Sequence, residues 1–187
     1  MCALNWLSRI VHVSLARWRR NTHASREDPS HSTDSNRAEL KYWAFISYSH
    51  HDEHRGRWGT RLHTALESYR VPKQLVGRDV AGVKVPQRIH RVFLDREELA
   101  SGPSLPDKIR QTLEQSRYLV VICSPFAAAS RWVNEEVRTF KAIGREDRVL
   151  PLIIGGEPNA TDKPDSGMPE CFPEALRFRV AASGELT

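Results

Sequence analysis

Residues 118–123 read YLVVIC, an unbroken apolar run with no polar position in it. A strand that is apolar on both faces must be covered on both faces, which is the condition of an inner strand in a parallel sheet. Residues 42–48 (YWAFISY) show the same two-faced character and are expected to lie centrally. Between these runs the period changes. Trp58, Leu62, Leu66 and Tyr69 recur on one helical stripe over residues 57–69, and Leu105, Ile109 and Leu113 mark a second helix. A short strand is expected at 91–94. Ser130 suits the N-cap of a third helix running to about residue 143, with Gly144 at its C-cap. Residues 149–154 read as a fourth strand and 176–180 as a fifth. Strands alternating with helices predict crossover units around an open parallel sheet with helices on both faces. Ligands of such sheets bind beyond the carboxyl ends of the strands, where the strand order reverses. The loops at 47–52, 95–105 and 124–131 are therefore the ones to inspect.

A chain of 187 residues accommodates one domain and an appendage. Its net charge of +5 has a local origin. Arg9, Arg17, Arg19, Arg20 and Arg26 are the only charges before residue 27, and without them 23 basic residues face 23 acidic ones. The high pI belongs to an N-terminal arm, so it does not argue for nucleic acid as a partner. Residues 1–20 place Leu4, Leu7, Val11, Leu15 and Trp18 at helical spacing among arginines. Contact of this helix with a membrane surface or a partner is one reading. A helix packing on its own domain, or a misplaced start codon, is favoured over it. Residues 21–38 are polar and read as a flexible linker. The organisation expected is arm 1–20, linker 21–38, domain 39–182 and tail 183–187. Cys2, Cys123 and Cys171 are odd in number and form no CxxC pair, which points to a reducing, cytoplasmic setting. No stretch approaches the ~18 apolar residues of a membrane span.

Four segments carry a resemblance. Phe45-Ile46-Ser47-Tyr48-Ser49 resembles the first-strand box of TIR (Toll/interleukin-1 receptor) domains. Phe93-Leu94-Asp95 through Leu99-Ala100-Ser101-Gly102 resembles their second-strand box and the loop after it. Ser124-Pro125 followed by Trp132-Val133-Asn134-Glu135-Glu136 is similar to the exit of the third strand and the WxxxE element of the next helix. Leu150-Pro151-Leu152-Ile153 is similar to the fourth strand. The resemblance covers about three quarters of the chain, and its nearest likeness is to bacterial members that cleave or cyclise NAD+. It implies a flavodoxin-like α/β fold with about five parallel strands in the order 2-1-3-4-5. It also implies one of two activities. The first is an NAD+ glycohydrolase or cyclase that releases nicotinamide and gives ADP-ribose or cyclic ADP-ribose, in antiviral defence or host-interfering signalling. The second is a non-catalytic scaffold working through contacts between TIR domains. Enzymatic members are expected to self-associate, with the loop after the second strand joining neighbouring domains. A receiver-like phosphoacceptor ranks below both, because no acidic cluster follows the first strand. Three departures stand out: a long link over 70–88, Ser49-His50 where enzymatic members often carry a basic residue, and an expected last helix that is absent, which leaves one sheet face short of cover.

The chemistry selects among the glutamates. Nicotinamide leaves NAD+ as a neutral molecule, so no general acid is required, and the difficulty is positive charge growing on the ribose. One well-placed carboxylate stabilises that charge. Glu135 and Glu136 are adjacent, and at about 100° per residue Glu135 points to water while Glu136 borders the Val133–Val137–Phe140 stripe beside Trp132. The last position of WxxxE is the same Glu136. It is the expected catalytic residue, and Ser49, His50, Asp95, Leu99, Gly102 and Trp132 are the expected substrate-binding residues. The blander reading makes Glu136 a solvated glutamate and Trp132 a core anchor. No GxGxxG, GxxxxGK[ST] or GxSxG is present, so NAD+ enters as substrate and no cofactor is expected. His50, His51 and His54 lack cysteine or carboxylate companions at metal-ligand spacing, so no metal is expected either.

Overall fold

The computed structural model describes residues 40–80, 83–94, 106–163, 165 and 167–187. The arm 1–20, the linker 21–38 and the expected site residues Asp95, Leu99 and Gly102 lie outside the described residues.

Strands β1 (Tyr42–Ser47), β2 (Val92–Leu94), β3 (Ser116–Cys123) and β4 (Val149–Ile153) form one parallel sheet in the order β2-β1-β3-β4. Helix α1 (His50–Gly56) and helix α2 (Trp58–Ser68) follow β1, and α3 (Asp107–Glu114) precedes β3. Helices α4 (Pro125–Ala128) and α5 (Arg131–Ala142) lie between β3 and β4, and α6 (Glu174–Arg177) follows β4. This is the expected α/β class, with β1 inside the sheet.

Alternation along the strands builds two apolar layers. Phe45, Leu119, Val121 and Cys123 meet Ile109 and Leu113 of α3 and Val133, Val137 and Phe140 of α5. On the other face Ala44, Ile46, Val120, Ile122 and Leu152 meet Leu62 of α2, with Leu66 packed at the margin. Each large side chain fully withdrawn from water contributes roughly 1.5–3 kcal/mol before entropy is counted. Ser130 caps α5 by accepting from Val133 N at 3.4 Å, and Gly144 leaves the helix at φ 78°.

The structure departs from expectation in four places. The helix expected over 57–69 is two helices, because Arg57 sits in the left-handed region at φ 51°. Arg57 offers no side-chain cap, so Glu53 reaches forward to accept from Gly59 N at 2.8 Å, Thr60 N at 3.2 Å and Thr60 Oγ1 at 2.5 Å. Trp58 is thereby turned outward, 36% exposed, and Gly59 takes the buried place. A Cβ on Gly59 would stand 3.0 Å from Glu53 Oε2 and 3.1 Å from Leu94 Cδ1, so a larger residue would push these side chains aside.

The long link over 70–88 folds as a small lobe. Arg70 and Arg88 form an antiparallel bridge, and Asp79–Val80 pairs with Val83–Lys84. Arg70, Lys73, Arg78, Lys84 and Arg88 are all exposed on it, so charge outside the arm is balanced in sum and uneven in place.

The fifth strand expected at 176–180 does not form. Pro173, at φ −57°, leads into α6, whose Ala175 is buried and whose Leu176 packs on the α5 side of the sheet. Lys141 of α5 holds α6 by donating to Ala175 O at 2.9 Å and Phe178 O at 2.7 Å, and it pairs with Glu146 at 2.8 Å. Residues 183–187, expected as a tail, instead fold back. Val180 bridges Leu186, Arg179 and Thr187 exchange backbone hydrogen bonds at 3.1 and 2.9 Å, and Arg138 donates to Gly184 O. The sheet therefore ends on β4 among the described residues. Ile154 donates to Cys123 O, so by alternation the backbone nitrogen of Pro151 faces away from β3. Among the described residues no helix is long and apolar enough to cross a membrane.

Candidate active site

Two buried serine–carboxylate pairs stand at the carboxyl ends of β1 and β3. Ser47 is the last residue of β1 and is 1% exposed. Its side chain falls on the same face as Phe45, toward α5, level with Val121 of β3. From α5, Glu136 arrives at 5% exposure, and the Ser47 hydroxyl donates to its Oε2. The second pair joins Ser124, directly after β3, to Asp52 of α1. Ser124 Oγ donates to Asp52 Oδ2 at 2.5 Å and accepts from Ala127 N at 3.0 Å, capping α4 at the same time. Burial pushes the Asp52 carboxyl above its ordinary value. The Ser124 hydrogen bond and the nearby charges of His51 and Arg55 oppose that shift.

Glu136 is more deeply set than its expected border position. Val133, Glu136, Val137 and Phe140 are spaced i, i+3, i+4, i+7, so the carboxylate lies within the buried stripe itself. Glu135 points away, half-buried, and pairs with Arg138 at 2.8 Å. Trp132 packs partly buried against the α5-side core, with the Arg131 guanidinium 5.5 Å from its ring centre. Ser49 is buried and caps α1, accepting from His51 N at 3.3 Å, so its hydroxyl serves the helix. His50 is half-buried and stacks on Tyr48 at 5.5 Å. His51 faces Phe126 at 3.9 Å between ring centres, which ties α1 to α4.

Ser47 and Ser124 did not figure among the expected site residues. Each is a lone hydroxyl at the end of an apolar strand, and a buried hydroxyl there must meet a polar partner. That was the available signal. Among the described residues no group of three or more histidine, cysteine, aspartate or glutamate side chains could hold a metal. Cys123 and Cys171 are buried and free. Burial, with Glu170 nearby, raises the Cys171 thiol to about 11, and burial raises Cys123 further, so both stay protonated and inert.

Comparison with known proteins finds a likeness over part of the chain. Residues 85–172 match the family model of the TIR domain (TIR_2). The chain is 33% identical over 123 residues to the NAD(+) hydrolase ApTIR of Actinoplanes sp., an alignment covering 63% of this chain. The chain spans only 15% of that relative's length. Among solved structures it is similar to the TIR domains of the activated Roq1 resistosome directly recognizing the pathogen effector XopQ. The identity is 21% and the TM-score 0.40, over 60% of this chain and 55% of that one. The likeness to the TIR domain rests on residues 85–172 and on the alignment with that relative.

Proposed function

We propose that this chain cleaves NAD+ with Glu136 as the catalytic carboxylate. The observation that carries the reading is Glu136 itself, a carboxylate withdrawn from water at the carboxyl end of the sheet and held there by Ser47. The relative named an NAD(+) hydrolase supports the same substrate.

The reaction breaks the bond between ribose C1′ and the nicotinamide nitrogen, and the bonding electron pair leaves with nicotinamide. Water adds to C1′ and loses one proton, giving ADP-ribose; in a cyclising variant an adenine nitrogen replaces water. As C1′ turns cationic, a fixed anion beside it lowers the barrier, and the effect is large where water is excluded. Glu136 supplies that anion, and Trp132, one turn earlier, offers an apolar wall. His50 lies where β1 ends and faces the phosphates or adenine, and Asp95, Leu99 and Gly102 complete the substrate contacts. NAD+ is consumed as substrate, and neighbouring TIR domains are the protein partners.

The test is incubation of the purified chain with NAD+, with chromatography for nicotinamide. Release that vanishes in Glu136→Gln supports the reading. A folded, concentrated wild type that releases none favours the scaffold, in which the same domain acts through contacts with other TIR domains.

A further inference from the structure

We infer that Ser47 is a positioning residue for this site, fixing the orientation of the Glu136 carboxylate; the inference rests on the NAD+-cleaving reading above. Ser47 is the only polar side chain that β1 sends to the α5 side: Phe45 precedes it there at the core of the sheet. It is 1% exposed, so its hydroxyl has no bulk water to turn to. Its one proton goes to Oε2 of Glu136, a residue 89 positions away in the chain.

A glutamate side chain has three rotatable bonds, and electrostatic stabilisation of a growing cation depends steeply on where the negative oxygens stand. A helix alone does not fix that position. The helix sets the Cα of Glu136, and the strand sets the far end through Ser47, so the carboxylate is gripped from two rigid elements. β1 is held on both sides by hydrogen-bonded neighbours, β2 and β3. The hydroxyl is therefore mounted on an inner strand of the sheet.

This role separates from two neighbours. Ser49, only two residues on, spends its hydroxyl on the first turn of α1. Ser124 makes the analogous bond at the end of β3 but to Asp52, on a different helix. Of the three serines at this end of the sheet, only Ser47 touches Glu136 in the hydrogen bonds described.

The experiment is Ser47→Ala in the full chain, compared with wild type at saturating and limiting NAD+. We expect kcat to fall about tenfold or more, as loss of a hydrogen bond to a charged group implies, with KM for NAD+ within about twofold. A merely structural serine would leave kcat unchanged once the protein is folded, or would move kcat and KM together, and either result overturns the role. Urea unfolding guards against a folding artefact. Ser47→Ala should lower the midpoint in the wild-type background and should not lower it in Glu136→Leu, where the bond is already gone and the hydroxyl is left without its acceptor. Equal losses in the two backgrounds overturn the contact. A wild type that releases no nicotinamide overturns the reaction and this role with it, whereas an active wild type with an unchanged Ser47→Ala overturns the role alone.

Discussion

The hydroxyl of Ser124 donates to Oδ2 of Asp52 at 2.5 Å, bonding the turn that leaves β3 to the helix that follows β1. Burial holds the Asp52 carboxyl above its ordinary 3.8, against the Ser124 bond and the charges of His51 and Arg55. A carboxyl raised in the folded state binds its proton more tightly when folded. Its contribution to stability is full below the unfolded value and is lost as pH rises through the folded one. Asp52→Asn keeps an acceptor for Ser124 and has no proton to lose. We expect the urea midpoint of the wild type to fall relative to Asp52→Asn as pH rises from about 3 to about 7. A gap between the two that stays constant with pH would show that folding leaves Asp52 unperturbed.

Glu136→Gln should abolish nicotinamide release, and Glu135→Gln should not. Glu136 is buried and bonded to Ser47, whereas Glu135 is half-buried and pairs with Arg138. Losing the single carboxylate that faces a developing cation costs on the order of 3 kcal/mol, a hundredfold or more in rate. Gln preserves shape, so circular dichroism should find both variants folded. Equal loss in both would mean the helix, and not one carboxylate, is what the reaction needs.

Gly156 and Gly144 share φ 78° but differ in surroundings. A Cβ on Gly156 would stand 2.7 Å from Pro169 O and 2.9 Å from Cys171 Cβ, while one on Gly144 meets nothing within 4 Å. Gly144→Ala carries only the left-handed backbone cost, about 1 kcal/mol. Gly156→Ala adds a clash with backbone and should lose about 1–3 kcal/mol beyond that. Thermal unfolding of the two variants ranks them, and equal melting temperatures would refute the packing argument.

Activity should rise more steeply than linearly with protein concentration. Residues 96–102, which the sequence reads as a charged loop with Gly102, are where the resemblance expects neighbouring TIR domains to join one site to the next. Nicotinamide release per mole of protein, measured over a dilution series beside light scattering, tests this. Constant specific activity from a particle that stays monomeric would count against assembly.

The fold was legible where apolar patterning decides it. The runs at 42–48 and 118–123 announced inner parallel strands, and both sit there with neighbours on each side. Patterning failed where a tertiary contact outweighs it. Leu176 and Val180 suit a strand, but Pro173 and the Lys141 ammonium, bonded to two carbonyls of that segment, hold it as a helical turn. Trp58 looked like the first anchor of a stripe, and a left-handed Arg57 swung it outward. At the site, helical phase singled out Glu136 from Glu135 and underestimated its burial. Ser47 escaped notice because nothing local in FISYS tells which of its two serines caps a helix and which meets a carboxylate 89 residues away.

Pro151 sits mid-strand in β4 with its nitrogen on the outer side of the sheet. Proline has no N–H, so the outer side of β4, one of the two edge strands of the described sheet, is missing a rung. A foreign strand laid against it would lose a hydrogen bond at its centre and meet a pyrrolidine ring instead. The β4 edge thus resists being lengthened by a strand from a second copy. Copies meeting on that side would have to be stitched together through helices and loops, and they could come apart again without tearing a β-ladder there.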